Sequence, residues 1–213
     1  VLRGRGTSPE RRGQRRVVPS GRWLIEAHHS VGLFFVSRGP WGLLLWGFTS
    51  NYAQAMDAFD KARKVASWAG HPLDERGLSL LAGYATWLEK EALPAGGIGP
   101  DEAPRIWDRH ICDSLSFARG WPANTPETAI DVGSGVGLPG VPLAVLWPNT
   151  RFVLLDRSGR RVELLRRLVR VHQLDNVEPV QGDLTGRRGS FDGVFARGVM
   201  DSTRLTVAVR HLC

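Results

Sequence analysis

The sequence contains few cysteines, and this scarcity excludes two classes of protein. Only Cys112 and Cys213 are present among 213 residues. Two cysteines cannot form a disulfide framework, and they cannot form a structural zinc site built on cysteine, so we predict no metal site. Reduced, isolated cysteines are typical of a reducing compartment, and we therefore expect a cytoplasmic protein.

A long uninterrupted apolar run is also missing. The most apolar stretch is VGLFFVSRGPWGLLLWGF, residues 31–48. A membrane-spanning helix needs about 20 consecutive apolar residues, and here Arg38, Gly39 and Pro40 interrupt the run. No small-residue cleavage site of the signal-peptide kind follows. We expect no membrane anchor.

Positive charge is concentrated at one end of the chain. The formal net charge is +7, and residues 1–22 contain seven arginines and one acid, Glu10, for a net +6. The remaining 191 residues therefore carry about +1. A basic tail can attract RNA phosphates, but this segment shows no hydrophobic period. We predict that residues 1–51 are a basic and apolar extension that is disordered.

Residues 52–127 have the hydrophobic period of helices and are predicted to form an N-terminal helical region. Gly70 and Pro94 are expected to end the first two helices. The third begins after a glycine-rich loop, with Asp101 as its N-cap. The predicted helices cover residues 52–70, 74–93 and 101–121, and the apolar stripe of the third contains Trp107, Ile111, Leu115 and Ala118.

After residue 128, short β-branched runs alternate with helical segments. This alternation predicts an open parallel α/β sheet with right-handed crossovers, so residues 128–213 are expected to form a Rossmann-like core. No internal repeat is present. The predicted strands cover residues 128–133, 150–156, 177–183 and 191–199, and the predicted helices cover residues 139–147, 158–174 and 201–213.

The segment DVGSGVGLPG, residues 131–140, directly follows the first predicted strand. In open parallel sheets, ligands bind beyond the carboxyl ends of the strands, where the strand order reverses. Gly133 and Gly135 would allow positive φ and a close approach of backbone to ligand. Pro139 would begin a helix whose first amides point at that ligand. We expect a ligand site at this loop.

Two cofactors fit the loop. GVGLPG matches the G-x-G-x-x-G pattern of dinucleotide-binding proteins, whereas Asp131, Gly133, Gly135 and Gly137 match the acid-x-Gly-x-Gly-x-Gly pattern of S-adenosylmethionine-dependent methyltransferases. Asp156 ends the second strand, where its carboxylate would accept both ribose hydroxyls of either cofactor. The three preceding helices favour a methyltransferase, because a dehydrogenase of this kind usually begins near its glycine loop. A nicotinamide-dependent oxidoreductase is the alternative.

Five segments together carry a family resemblance: RIWDRHICDSL (105–115), IDVGSGVGLPGVPLA (130–144), LLDRSGRRVELLR (154–166), NVEPVQGD (176–183) and FDGVFARGV (191–199). Over residues 74–212 the sequence resembles the bacterial ribosomal RNA small-subunit methyltransferase G family, also called glucose-inhibited division protein B. The resemblance implies a class I S-adenosylmethionine-dependent methyltransferase fold. It also implies methylation of guanine N7 in 16S ribosomal RNA, with that RNA or the small ribosomal subunit as partner. The sequence carries no oligomeric signal, and we favour a monomer.

The resemblance, together with the loop pattern, assigns candidate site residues. Arg157 follows Asp156 where the family usually has serine, and the acid that the family often has near Thr185 is absent. Arg197, at the end of the fourth strand, is the candidate catalytic residue. The expected cofactor-binding residues are Asp131, Gly133, Gly135, Gly137, Leu138, Asp156, Asp183, Leu184, Thr185 and Arg197.

Guanine N7 carries an unshared electron pair at neutral pH, so its methylation requires orientation rather than proton removal. This fits the absence of an N-P-P-[YF] sequence after the fourth strand, which would suit an exocyclic amine, and of a Pro-Cys pair there, which would suit a pyrimidine. We hypothesise that Arg197 contacts the cofactor or the target guanine. The alternative is a structural salt bridge from Arg197 to Asp131 or Asp201.

Other polar residues have two interpretations each. His110 and Asp113, three residues apart on one predicted helix, are either an acid–base pair or residues that position the helix. Two arginine sets, Arg105 with Arg109 and Arg160, Arg161, Arg166, Arg167 and Arg170, are either RNA-binding or merely solvated.

The end of the sequence also bears on function. A complete fold of this class has three more strands after the fourth, so we expect a C-terminally incomplete core. A truncated, non-catalytic RNA-binding domain is therefore a further alternative.

Overall fold

The computed structural model describes the backbone of residues 15–17, 23–25, 34–39 and 42–47, and then residues 51–121, 125–187, 189–199 and 207–212, with side chains from Met56 onward. The chain divides into two compact units, Val1–Asp57 and Ala58–Cys213. Within the described residues, no helix combines the length and the apolar character that a membrane span requires.

The described residues of the first unit before α1 form four strands, which pair antiparallel in sequence order: β1 (Arg15–Val17), β2 (Trp23–Ile25), β3 (Phe34–Gly39) and β4 (Gly42–Gly47). The sequence predicted a disordered extension here, and the described parts of it are strands instead. The physical reason is that β3 and β4 contain Phe34, Phe35, Val36 and Trp46, whose residue types are enriched in strands. The other residues of the range 1–51 lie outside the described part.

The first two predicted helices are confirmed. Helix α1 (Asn51–Ala69) buries Ala62, Ala66 and Ala69, while Met56 is exposed. Asp74 is the N-cap of helix α2 (Glu75–Trp87), and its carboxylate accepts a hydrogen bond from the Gly77 amide at 2.7 Å. A π-helical turn (Leu88–Ala92) continues α2 to the end of the predicted segment.

The third predicted helix is not a single α-helix. It consists of a 3₁₀ segment (Pro100–Arg105), a π-helical segment (Ile106–Cys112), the short helix α3 (Asp113–Ser116) and a second 3₁₀ segment (Phe117–Gly120). Pro104 lies inside the first segment and has no amide proton to donate, which prevents a regular α-helix there. Asp101 is not the N-cap, because Gly99 occupies that position without a side-chain bond.

The second unit contains the predicted parallel sheet. Strands β5 (Thr128–Val132), β6 (Arg151–Asp156), β7 (Val177–Gln181) and β8 (Gly193–Phe195) are parallel in the order β7-β6-β5-β8. Helices α4 (Gly140–Leu146) and α5 (Gly159–His172) connect the first three strands. The predicted Rossmann-like α/β fold is confirmed, and the strand order reverses at β5.

Both faces of the sheet are covered, as strands of parallel sheets require. Alternate residues point to opposite faces: Phe152 and Leu154 pack in the cluster that includes the helices, whereas Val153 and Leu155 pack with Leu184, Phe191 and Leu212. Of the predicted last helix, residues 207–209 are helical, and residues 201–206 lie outside the described part.

Candidate active site

The glycine loop leaves the carboxyl end of β5, at the point where the strand order reverses. Gly133, Gly135 and Gly137 have φ values of +68°, +61° and +99°, a region that only glycine enters readily. The amides of Gly133 and Ser134 both donate to the Leu155 carbonyl, at 2.8 and 3.0 Å. The loop therefore crosses over the end of β6 before it turns into α4.

Asp131 holds this loop in place through two hydrogen bonds. Its side chain is fully buried, and its Oδ2 accepts hydrogen bonds from Ser134 Oγ at 2.7 Å and from the Gly140 amide at 2.9 Å. The expectation that the amide at the start of α4 points at a ligand is therefore wrong, because that amide donates to Asp131. Helix α4 also begins at Gly140, after Pro139.

The environment of Asp131 disfavours its charge. Burial raises the pKa of this carboxyl from 3.8 to about 6, against the opposing effect of the two hydrogen bonds. Its Oδ1 has no hydrogen-bond partner among the described residues. Asp131 thus has a structural role in the loop that its sequence position did not predict.

Asp156 is a buried carboxylate at the end of β6. Its Oδ1 accepts from the Ser158 amide at 2.8 Å and its Oδ2 from the Gly135 amide at 2.9 Å, and the Arg161 guanidinium lies 3.7 Å from Oδ2. Each carboxylate oxygen has two lone pairs, so each can accept one further hydrogen bond. Two adjacent hydroxyls, such as those of a ribose, fit this carboxylate.

Two cavities open at this edge of the sheet. The first cavity, of about 470 Å³, lies at the carboxyl ends of β5, β6 and β7 and includes Asp156, Asp183, Leu184 and Thr185 in its lining. The second cavity, of about 410 Å³, lies between the glycine loop, the loop at Gly97–Gly99, His110 and Arg197. Gly133, Arg161 and Gly198 line both cavities, which therefore meet at the glycine loop.

Most of the predicted site residues line these cavities. Gly133, Asp156, Asp183, Leu184 and Thr185 line the first, and Gly133, Gly135, Leu138 and Arg197 line the second. Asp183 Oδ1 accepts hydrogen bonds from the amide and the hydroxyl of Thr185 at 2.9 and 2.8 Å, which lowers the pKa of the Asp183 carboxyl. The assignment of all these residues as cofactor ligands stays a prediction.

Gly137, like Asp131, lines neither cavity. A Cβ at this position would lie 2.5 Å from Val141 Cγ2 and 3.2 Å from Leu165 Cδ2. The position faces the protein interior, so close packing against α4 and α5, together with the positive φ, accounts for glycine here.

Arg197, just after β8, reaches across to the π-helical segment. Its Nη1 donates to the Arg109 carbonyl at 3.2 Å, and its Nη2 lies 2.8 Å from His110 Nδ1. Among the described residues it forms no salt bridge with Asp131. The other predicted partner, Asp201, lies outside the described part.

His110 and Asp113 do not form a pair. His110 is buried, whereas Asp113 is exposed, because a π-helical segment has more residues per turn than the α-helix on which the predicted spacing rested. His110 Nε2 instead lies 3.0 Å from Glu102 Oε2.

Sequence reasoning missed the loop at Gly97–Gly99. A Cβ on Gly97 would lie 2.4 Å from Val136 Cγ1, so this loop passes directly over the glycine loop. Tyr84 holds the glycine loop at the same residue, since its buried hydroxyl donates to the Val136 carbonyl at 3.0 Å. Burial raises the pKa of the Tyr84 hydroxyl well above its ordinary value. The glycines of PAGGIGP were the available signal.

Several of the predicted RNA-binding arginines form ion pairs. Arg105 and Arg109 lie 3.9 and 3.4 Å from Glu102, Arg166 lies 3.5 Å from Glu163, and Arg167 lies 3.1 Å from Glu91. Arg160 and Arg170 are exposed on α5. Their contact with RNA stays a prediction.

A sequence profile of rRNA small subunit methyltransferase G matches residues 58–213. The chain belongs to the rRNA small subunit methyltransferase G family. The family predicted from the sequence is confirmed, and S-adenosylmethionine is the cofactor of this family.

Individual members of the family give the same result. The chain is 37% identical to a ribosomal RNA small subunit methyltransferase G of Mycobacterium marinum over 134 residues, covering 61% of this chain and 58% of that one. It is 36% identical to that of Erwinia tasmaniensis, covering 68% and 70%, and 33% identical to that of Salmonella agona, covering 72% and 73%. The chain thus spans less than two thirds of the first relative and somewhat more of the others.

Among solved structures, the chain is similar to the SAH-bound methyltransferase PaMTH1 of Podospora anserina. The TM-score is 0.49 with 14% sequence identity, over 79% of this chain and 67% of that one.

Proposed function

We propose that this chain transfers a methyl group from S-adenosylmethionine to N7 of a guanine in 16S ribosomal RNA, in the cytoplasm. The observation that carries the proposal is the pair of cavities that meet at Gly133. One cavity has the carboxylate that a ribose needs, and the other has cationic groups suited to a nucleotide. Methyl transfer requires two such sites in contact, because donor and acceptor react in line.

The first cavity is the proposed cofactor site. Asp156 would accept the two ribose hydroxyls, and Leu184 and Thr185 would flank the adenine. Gly133 lines this cavity together with Val199, and glycine leaves room for Val199, because a Cβ on Gly133 would lie 2.6 Å from Val199 Cγ2. When bound, S-adenosylmethionine supplies an electrophilic methyl group.

The second cavity is the proposed site of the target base. N7 needs no proton removed, so the residues there have only to bind and orient the guanine. Arg197 is the proposed catalytic residue, since its guanidinium lines this cavity beside Gly198 and Gly133. An arginine can donate to guanine acceptor atoms such as O6, which would leave N7 free if the contact is made to O6 alone.

The first experiment is calorimetric titration of the full chain with S-adenosylhomocysteine and, separately, with NAD. We expect binding of S-adenosylhomocysteine alone. Small ribosomal subunits lacking the modification are then incubated with the chain and labelled S-adenosylmethionine, and 7-methylguanine is identified in the RNA. Binding of NAD would support the oxidoreductase, and binding of RNA without methyl transfer would support a non-catalytic RNA-binding domain.

We predict that Arg197→Ala lowers the rate of methyl transfer about 100-fold, the typical loss when one preorganised donor is removed. Thermal unfolding should change little by comparison. The matched control is Arg119→Ala, because Arg119 is exposed and bonds to the Trp68 carbonyl away from both cavities. Turnover of Arg197→Ala equal to that of the control would contradict the role of Arg197.

A further inference from the structure

Glu102, His110 and Arg197 form a continuous hydrogen-bonded chain along the wall of the second cavity. Glu102 Oε2 lies 3.0 Å from His110 Nε2, and His110 Nδ1 lies 2.8 Å from Arg197 Nη2. All three residues line the cavity. They come from three separate places: the 3₁₀ segment, the π-helical segment and the end of β8.

The chemistry of these groups fixes the direction of each bond. A guanidinium has only donors, so Nη2 donates and His110 Nδ1 must accept. An imidazole that accepts at Nδ1 carries its proton at Nε2 and donates it to the Glu102 carboxylate. His110 is therefore neutral in this arrangement, and it transmits the orientation of Glu102 to Arg197.

The surroundings of His110 favour the same neutral form. Burial and the neighbouring guanidinium groups of Arg197 and Arg109 lower the pKa of His110, in opposition to Glu102. Arg109 also faces Glu102 at 3.4 Å, and Arg105 lies 3.9 Å from it. Ser114 Oγ is a second side-chain partner of Arg197, at 3.4 Å. The Arg197 guanidinium also interacts electrostatically with Asp131 and Tyr84, and it lowers the pKa of both groups against the raising effect of their burial.

We propose that Glu102 and His110 are positioning residues that hold the Arg197 guanidinium in the orientation needed to receive the target base. The proposal rests on the proposed function, since it assigns the second cavity to that base. With only one hydrogen bond, the long side chain of Arg197 could adopt several rotamers. The combined contacts with His110, Ser114 and the Arg109 carbonyl select one of them.

The arrangement makes the orientation of Arg197 sensitive to acid. When His110 takes up a second proton, Nδ1 becomes a donor and can no longer accept from Arg197. Two cations then face each other, and the contact is lost. Methyl transfer should therefore decline as the pH falls through the pKa of His110, which lies below its ordinary value of 6.5.

The test compares His110→Gln, His110→Asn and Glu102→Gln in the full chain. Glutamine retains a donor towards Glu102 but removes the acceptor for Arg197, whereas asparagine can place its carbonyl oxygen near the former Nδ1. We expect His110→Gln to lower kcat by about 10- to 100-fold, as small misplacements of reacting groups do. His110→Asn should retain more activity and lose the acid limb of the pH profile. Asp113→Asn is the control, because Asp113 is exposed and outside the chain of bonds.

The affinity for S-adenosylhomocysteine separates positioning from general damage, and we expect less than about a threefold change in each variant, small beside the loss in kcat. Nitrogen NMR of the His110 ring tests the bonds without any turnover. The wild-type chain should show the neutral Nε2-protonated tautomer, and Arg197→Ala should raise the pKa of His110.

The outcomes can be told apart. Protonation of the neutral ring at Nδ1, or unchanged kcat in His110→Gln, would overturn the positioning role. If the wild-type chain does not methylate RNA, the proposed function fails, and the NMR tautomer and the effect of Arg197→Ala on the His110 pKa still decide whether the chain of bonds exists.

Discussion

Asp131 has a structural role that its place in the motif did not indicate. The pattern acid-x-Gly-x-Gly-x-Gly predicted a carboxylate that meets the cofactor, and this assignment stays a prediction. In the structure Asp131 is fully buried and its Oδ2 accepts hydrogen bonds from Ser134 and Gly140. It closes the loop by bonding to both of its ends. The residue that faces the first cavity is Asp156, 25 positions later in the printed sequence.

We predict that Asp131→Ala destabilises the fold by about 3 kcal/mol, because a buried hydroxyl and a buried amide lose their acceptor. Asp131→Asn should cost less, since one amide oxygen can accept both bonds. Urea unfolding of the two variants and the wild-type chain measures the difference.

The stability of the wild-type chain should also depend on pH through Asp131. Because the folded pKa of Asp131 is raised from 3.8 to about 6, the native state binds more protons than the unfolded state between these values. This contribution to stability is present below pH 3.8 and is lost as the pH rises through about 6. Asp131→Asn should lack it, and equal pH dependence of the two proteins would contradict the assignment.

The glycine loop combines positions with different requirements. Gly137 faces Val141 and Leu165 in the interior, whereas the nearest heavy atom to a Cβ on Gly135 is the Gly133 carbonyl oxygen at 3.9 Å. Gly135 lines the second cavity and Gly137 does not. Gly137 is therefore required by packing, whereas Gly135 leaves the second cavity open, although both residues have positive φ.

We predict that Gly137→Ala mainly lowers stability and that Gly135→Ala mainly lowers activity. Gly137→Ala should lower the free energy of unfolding by about 3 kcal/mol, because the clash with Val141 adds to the strain of positive φ. Gly135→Ala should cost only about 1 kcal/mol but weaken RNA methylation, since its methyl group enters the cavity. Chemical denaturation and turnover distinguish the two. Equal losses of stability would contradict the distinction.

Across the whole molecule, the excess of positive charge is distributed unevenly along the chain. Most of the net +7 lies in residues 1–22. The proposed function requires the second unit to attract RNA, and we expect local clusters of arginine to supply this attraction. One cluster lies around the start of α5 and contains Arg157, Arg160 and Arg161, of which Arg157 and Arg161 line the first cavity.

We predict that Arg160→Ala reduces the salt dependence of binding to a 16S ribosomal RNA fragment, with the slope of log K against log salt falling by about 1. Arg170→Ala is the control, because both residues are exposed but Arg170 lies about 15 Å further along α5. Binding is measured by fluorescence anisotropy over a range of salt concentrations. Equal slopes in all three proteins would contradict a phosphate contact at Arg160.

The predictions for the third helical segment failed because they assumed a regular α-helix over residues that form 3₁₀ and π-helical turns. The spacing of His110 and Asp113 assumed an α-helix, and Pro104 together with the π-helical segment changed which side chains turn inward. The predicted N-cap at Asp101 failed in the same segment. Both of these errors concern residues 100–113, where 3₁₀ and π-helical segments replace the predicted α-helix.

The sequence by itself determined the family, the order of strands and helices in the second unit, and the position of the glycine loop at the reversal of the sheet, because contiguous motifs and hydrophobic periods carry this information. Only the tertiary structure decided which residues meet. His110 and Arg197 are 87 positions apart, and Tyr84 and Val136 are 52 apart. Such contacts depend on how the helices pack against the sheet, and no local pattern encodes that packing.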